Sequence, residues 1–285
     1  MTEPVGGGRI DWLASYPKSG NTWMRMLLAN YFSESDAPHD INAPGITRGV
    51  AGSRWLFDSF LGIASSDLLP GEIRSLQPHL YATVARRNTA PIWLKVHDQH
   101  VKTPAGDYLF PAEASGVAIY IVRNPLDVAV SNAFHDGHRD MTRAVNKLCD
   151  PTMTIAGRST LQLPQQIGDW STHVTSWVDQ TQIPVLAIRY EDMLADTPGV
   201  LERVLAFARP MLVPDQVRIE SAVRHSHIEM LQAAETANGF RETPPGATRF
   251  FRRGQAGDWR NHLSPAQVEQ ILTRHLVAMQ RFGYA

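Results

Sequence analysis

Lysine is rare in this chain. Of its 27 basic residues, four are lysines (Lys18, Lys95, Lys102 and Lys147) and 23 are arginines. A position that keeps lysine against that background asks for a compact ammonium rather than a planar fork. Lys18 lies in Ser15-Tyr16-Pro17-Lys18-Ser19-Gly20-Asn21-Thr22-Trp23, which closes one apolar strand signal and opens a helix. Free N–H groups and the helix dipole make such a junction an anion site. Gly20 lets the backbone come close to the anion, Ser19 and Thr22 add hydroxyls, and Lys18 adds charge. An ordinary strand-to-helix turn would also put a glycine at its corner. The Gly-Lys-Ser/Thr order of a Walker A loop is missing, because Asn21 follows Gly20. That withdraws support from Mg²⁺-dependent nucleotide hydrolysis.

Lys95 lies in Leu94-Lys95-Val96-His97, at the end of a second strand signal. Alternation puts Lys95 and His97 on one face. An imidazole with a pKa near ~6.5 can take the proton of an attacking hydroxyl. With 11 histidines in the chain, a packing role for His97 is the competing reading. The pairs His97/His100 and His135/His138 have metal-like spacing. With one cysteine, Cys149, and no His-Glu-x-x-His, they do not make a zinc site, and no metal is expected. Arg123 ends a third strand, Asn124 caps the next helix with Pro125 in its first turn, and Ser131 lies two turns along the capped face. A guanidinium beside a hydroxyl suits a phosphate monoester. A surface ion pair would explain Arg123 equally well. Arg252-Arg253-Gly254, just before Gly257-Asp258-Trp259, is a second basic turn, and a solvated turn is its plainer reading.

The elements that must hold these residues alternate between strand and helix. Strands are expected at Ile10–Ser15, Ile92–His97, Val117–Arg123 and Val185–Tyr190. Helices are expected at about Gly20–Phe32, Pro70–Arg87 and Pro164–Gln182, and from Pro265 onward. The run at 117–122 has no polar alternation, so that strand is buried on both faces. The pattern predicts an α/β fold: a single-domain, P-loop-like three-layer sandwich over 10–285, with a central, mostly parallel sheet and helices on both faces. Ligands bind such sheets at the carboxyl ends of the strands. The Gly-rich residues 1–9 are expected to be disordered, 33–66 irregular and 139–163 a flexible insert. Segment 236–261 is polar and contains glycine.

A formal net charge of -1 argues against general nucleic-acid binding. No apolar run has the length of a membrane span, no secretory signal is visible, and the single cysteine fits a reducing compartment. A soluble cytoplasmic protein with neither nucleic-acid nor membrane partner is the expectation.

Tyr16-Pro17-Lys18-Ser19-Gly20-Asn21-Thr22-Trp23 resembles the phosphosulfate loop TYPKSGTTW of the soluble, cytosolic-type sulfotransferases that use 3′-phosphoadenosine-5′-phosphosulfate (PAPS). The departures are Ser15 and Asn21. Ile121 to Ser131 resembles that family's 3′-phosphate motif, and Arg252 to His262 resembles its RKGxxGDWKNxF segment, with Arg253 and Arg260 where lysine is usual. Tyr190-Glu191-Asp192 and the stretch His225 to Met230 also match, with His227 in place of an aromatic residue. The resemblance spans roughly 10–282 and is that of a bacterial small-molecule member.

This resemblance implies PAPS as co-substrate and the bisphosphate PAP as product. It implies nucleotide contacts from Lys18, Ser19, Gly20, Asn21, Thr22, Trp23, Arg123, Ser131, Tyr190, Ser226, Arg252, Arg253 and Gly254. It also implies His97 as catalytic base, Lys95 on the sulfuryl oxygens, Lys18 on the leaving oxygen and Ser131 as a restraint on Lys18. The acceptor would be a small hydroxyl compound, less readily an amine. Trp55, Phe57, Tyr108 and Phe110 favour an aromatic or lipophilic one. Ser264-Pro265 breaks the family's dimer motif, so a monomer or weak homodimer is expected. Two other readings remain open: a nucleotide kinase-like phosphotransferase, and a non-catalytic nucleotide binder that kept the fold.

Overall fold

The computed structural model describes residues 8–43, 45–157 and 159–285, and the side chains of all of these except Arg48. In chain order the strands are β1 (Ile10–Ser15), β2 (Thr47–Val50), β3 (Ile92–Val96), β4 (Ser115–Val122), β5 (Thr154–Ile155), β6 (Gln165–Gln166) and β7 (Val185–Arg189). The helices are α1 (Asn21–Phe32), α2 (Arg54–Leu61), α3 (Pro70–Arg87), α4 (Pro125–His135), α5 (Met141–Leu148) and α6 (Trp170–Val178). They continue with α7 (Tyr190–Ala195), α8 (Thr197–Ala208), α9 (Gln216–His225), α10 (Ile228–Asn238) and α11 (Pro265–Arg281).

The main sheet has the order β2-β3-β1-β4-β7, and every pairing in it is parallel. The strands are buried on both sides, and the two faces carry separate cores. Ile10, Trp12 and Ala14 of β1 pack with Phe57, Tyr81, Val128, Trp170 and Ile271, drawn from α2, α3, α4, α6 and α11. Leu13 packs the other way, with Leu27 of α1, Val204 of α8 and Ile219 of α9. Period-2 alternation along β1 therefore feeds two helical layers. That is the expected three-layer α/β sandwich.

After β1 the chain builds β2 and β3 on one side of it, then crosses to place β4 on the other. The strand order reverses at β1, so a crevice opens beyond the carboxyl ends of β1 and β4. The Lys18 loop leaves β1 there, and Arg123 leaves β4 there.

Several expectations change. Segment 33–66 contains β2 and α2, whose Ser53 cap accepts from Leu56 N. Residues 139–163 hold α5, capped by Asp140 and burying Ala144, Val145 and Leu148, so this is an ordered helix rather than a loose insert. The helix expected over 164–182 runs only from Trp170 to Val178. Gly168 has φ 58, and the Asp169 side chain accepts from Thr172 N, which fixes a later start. Phe57 and Phe110 are fully buried in the core, and only Trp55 of the four aromatics considered for the acceptor is largely exposed. Gly8 donates to Asn88 O, and Arg9 O accepts from Ile92 N; residues 1–7 lie outside the described residues. Among the described residues, no helix is long and apolar enough to cross a membrane. None of their His, Cys, Asp and Glu side chains gather in a group of three able to hold a metal.

Candidate active site

The loop after β1 turns back sharply. Lys18 has φ 70 and Gly20 φ 108, both left-handed. The turn opens α1 at Asn21, with no side chain capping its first amides. A Cβ on Gly20 would stand 2.7 Å from Cδ2 of Tyr190, so glycine is required by both conformation and space. Asn21 points inward: its Nδ2 donates to Leu13 O at 2.8 Å and to Ser15 Oγ at 3.2 Å. It pins the loop to β1. Ser19 Oγ is buried with no partner among the described residues.

Lys18 Nζ lies 3.1 Å from His135 Nδ1 on α4 and 4.0 Å from the centre of the Phe250 ring. Burial, with Lys95 and Arg123 nearby, pushes its pKa down to about 7. Burial and the same ammonium push His135 down to about 3, so its neutral Nδ1 accepts from Lys18. Ser131, one turn earlier on α4, makes no side-chain hydrogen bond among the described residues, so His135 holds Lys18 here.

His97 follows β3. Its Nδ1 is 2.8 Å from the carbonyl oxygen of Ser15 at the end of β1. A carbonyl only accepts, so Nδ1 carries the proton and Nε2 carries the lone pair. His173 Nε2 in turn donates to His97 O at 2.9 Å, while its Nδ1 accepts from Tyr120 OH at 2.8 Å. Burial, with Lys95 second, pushes the His97 pKa down to about 3, which keeps the ring neutral. Lys95 Nζ is 2.8 Å from Glu242 Oε2, and Arg25 of α1 is 2.5 Å from Glu242 Oε1. Those two cations hold the Glu242 carboxyl down at about 2 against the opposing pull of burial.

Arg123 extends from the end of β4 across the crevice. Its two terminal nitrogens donate to Lys18 O at 3.1 Å and Gln255 O at 3.0 Å, and its plane lies 4.3 Å from the Tyr190 ring centre. Its Nε is buried and unpartnered among the described residues. Asp127 of α4 accepts from Gly257 N at 2.7 Å and Trp259 N at 3.0 Å, and so clamps the Gly-Asp-Trp turn to the start of α4. Asp258, held below the usual carboxylate range chiefly by Arg252, pairs with Arg252 at 2.5 Å and Arg253 at 2.6 Å. Trp23 Nε1 donates to Ser226 O, and the Trp23 ring meets Tyr190 at 5.7 Å.

A sulfotransferase domain description matches residues 11–283. The chain belongs to the sulfotransferase domain family. It is 30% identical over 297 residues to mouse sulfotransferase 2B1, covering 100% of this chain and 77% of that one. It is 26% identical over 263 residues to the 3-alpha-hydroxysteroid sulfotransferase of Cavia porcellus, covering 90% and 78%. Its fold matches that of a mouse sulfotransferase, SULT7A1, solved in complex with PAP, at a TM-score of 0.62 and 20% identity over 97% of this chain and 89% of that one.

Within this sulfotransferase domain, Arg123 joins the Lys18 loop and the Tyr190 ring to Gln255, which directly follows Arg252-Arg253-Gly254, and Tyr190 in turn meets Trp23. Gly254 has φ 61, which favours glycine, and a Cβ there would press to 3.0 Å from Cγ1 of Ile228. Thr22 is buried in the first turn of α1, and Ser226 Oγ accepts from Asn30 Nδ2 rather than facing the crevice. Asn21 serves the loop's own structure. Glu242, Phe250 and Asp127 escape sequence reasoning, and His135, weighed there only for its metal-like spacing to His138, proves to be the partner of Lys18. Glu242 lies 147 residues from Lys95 in a polar stretch with no periodicity to mark it. Asp127 carries a faint signal, an acidic residue in the first turn of a capped helix, which alone implies only a dipole contact.

Proposed function

We propose that this domain transfers the sulfuryl group of PAPS to the hydroxyl of a small organic acceptor, with His97 as general base. The observation that carries the reading is the His97 tautomer: Nδ1–H is committed to Ser15 O, leaving a neutral Nε2 beside the Lys18 loop. Two buried atoms without partners, Ser19 Oγ and Arg123 Nε, line the crevice and fit an anion there. The relatives support the same class: one is named for a hydroxysteroid, and a fold neighbour was solved with PAP.

Lys18, Ser19 and Thr22, with the first amides of α1, would hold the 5′-phosphosulfate end. Arg123, Ser131, Arg252, Arg253 and Gly254 would hold the 3′-phosphate, and Trp23 and Tyr190 would border the adenine, with Ser226 behind them fixing Trp23 through its carbonyl. PAPS supplies the sulfuryl group, which passes to the acceptor oxygen as the bond to the bridging oxygen breaks. His97 Nε2 takes the acceptor proton. Lys18 faces the charge that builds on the leaving oxygen, a form of electrostatic stabilisation that needs no metal. The contact from Arg123 to Lys18 O ties the two phosphate grips into one frame.

Thermal unfolding tests the reading. PAP at about 100 times its Kd should stabilise the domain by about 2.7 kcal/mol, well beyond any shift from ATP with Mg²⁺. Equal shifts would favour a phosphotransferase. His97→Ala should keep the PAP shift and lose on the order of 10²–10⁴ in kcat. Retained turnover would remove His97 as base.

A further inference from the structure

Two buried cations stand on rigid elements, and among the described residues neither side chain hydrogen-bonds to backbone. Arg25 stands on α1 and Lys95 near the end of β3, each with a side chain only 11% exposed. Among the described residues, Glu242 is the one carboxylate paired with either. It is 29% exposed and comes from the segment between α10 and the Gly-Asp-Trp turn, so the anion is laid over the cations from the solvent side. Arg25 Nε remains buried and without a partner among the described residues. The cations are therefore part of the scaffold, while their counter-charge is carried on a loop and leaves one donor unanswered.

We propose that Arg25 and Lys95 form a subsite for an acidic acceptor, and that the Glu242 carboxylate stands in for the acceptor's own carboxylate until it binds. The exchange conserves charge: one carboxylate leaves the pair and another enters. A cationic acceptor finds no free carboxylate here, because both Glu242 oxygens are already engaged. Lys95 shares a strand face with His97, two residues on, which puts the subsite about 7 Å along the strand from the proposed base. Phe250, on the same segment as Glu242 and backed by the buried Phe240 at 4.8 Å, offers an apolar face beside Lys18. The acceptor class is thus a hydroxyaryl carboxylate. The inference rests on the sulfuryl-transfer reading for the place of the hydroxyl.

Three phenols with an anionic, a neutral and a cationic para substituent test it: 4-hydroxyphenylacetate, its isosteric neutral amide 4-hydroxyphenylacetamide, and tyramine. Their binding is measured by calorimetry on the intact protein saturated with PAP. The anion should bind about tenfold tighter than the neutral phenol, as expected of charge-assisted bonds to a guanidinium, and tyramine should bind weakest. Arg25→Gln should bring the anion-to-neutral ratio near one. Glu242→Gln should tighten the anion several-fold, because an internal competitor is weakened. An equal or reversed order, no binding of the anion, or a ratio unmoved by Arg25→Gln overturns the subsite. PAP binding, followed in every variant, separates the two claims: loss of it in the wild type sinks the sulfuryl-transfer reading, while PAP binding without the charge order sinks only this one.

Discussion

Lys18 combines two demands that oppose each other. On the proposed reading it meets an anion, yet it is buried beside Lys95 and Arg123, and its pKa falls to about 7. In the free protein at pH 8, about nine-tenths of it is uncharged by simple titration. A phosphate beside it restores the ammonium, so binding must take up a proton. The ligand's own phosphates, with second pKa values near ~6, are already ionised at pH 8 and do not contribute. Calorimetry of PAP binding at pH 8, in buffers of different ionisation heat, should show uptake approaching one proton; an uptake of zero would mean that Lys18 keeps its charge when free. Gly20 shows a second constraint at this scale. Gly20→Ala would set a side chain at φ 108 and press it to 2.7 Å from a Tyr190 ring that Trp23 and Arg123 already flank. The expected cost is about 1–3 kcal/mol, read as a lower urea midpoint together with a weaker PAP shift.

The elements matter because the crevice is assembled from pieces far apart in sequence. The start of α4 is the junction: Asn124 caps it, Arg123 precedes it, and Asp127 in its first turn receives the Gly257 and Trp259 amides. Asp127→Asn keeps the shape but replaces one acceptor oxygen with a donor facing an N–H. Losing one buried bond and leaving an amide unpaired should cost about 1–3 kcal/mol, measured by urea denaturation. PAP affinity should fall as well, because Arg252 and Arg253 ride on the same turn; unchanged affinity would detach that turn from the nucleotide. This junction also marks where the sequence could be read and where it could not. The strand ends carrying Lys18 and Arg123 were legible because an apolar run, a turn signal and a helix start coincide within a few residues, whereas His97 was legible from the apolar run and the alternation with Lys95, with no helix start behind it. β2 was not, since it is four residues long, contains Gly49 at φ 137 and has no alternation. Helix α5 was missed for a different reason. Its apolar positions Ala144, Val145 and Leu148 pack on α4 and α11, a partnership that spacing alone does not disclose. Contacts such as Glu242 with Lys95 join a loop to a strand, and no local pattern encodes them.

At the scale of the whole molecule, burial of imidazoles decides how stability follows pH. His97 and His135 have pKa values near 3, and His173 and His275 near 4, each lowered first by desolvation. In the unfolded chain all four titrate near ~6.5. Below that pH the unfolded state binds protons that the folded state refuses, so stability falls with acid from about 6.5 down to the folded values. Glu242, at about 2, and Asp258, also lowered, act in the same direction at lower pH, since their ionised forms are favoured only when folded. Asp11 and Asp98 are raised by burial and run the other way: from their raised folded values down to the ordinary carboxylate range the folded state binds the extra protons, so these two groups oppose the four imidazoles over part of the same window. Lys18 adds nothing on the acid side: lowered to about 7, it costs stability below that pH no further than it already does at neutrality. The melting temperature should therefore drop steadily between pH 7 and pH 5 in scanning calorimetry, before any carboxylate of the crevice is protonated. A melting temperature that stays level over that interval would mean that the four imidazoles bind protons in the folded protein as readily as in the unfolded chain, and burial would not be what keeps the His97 ring neutral.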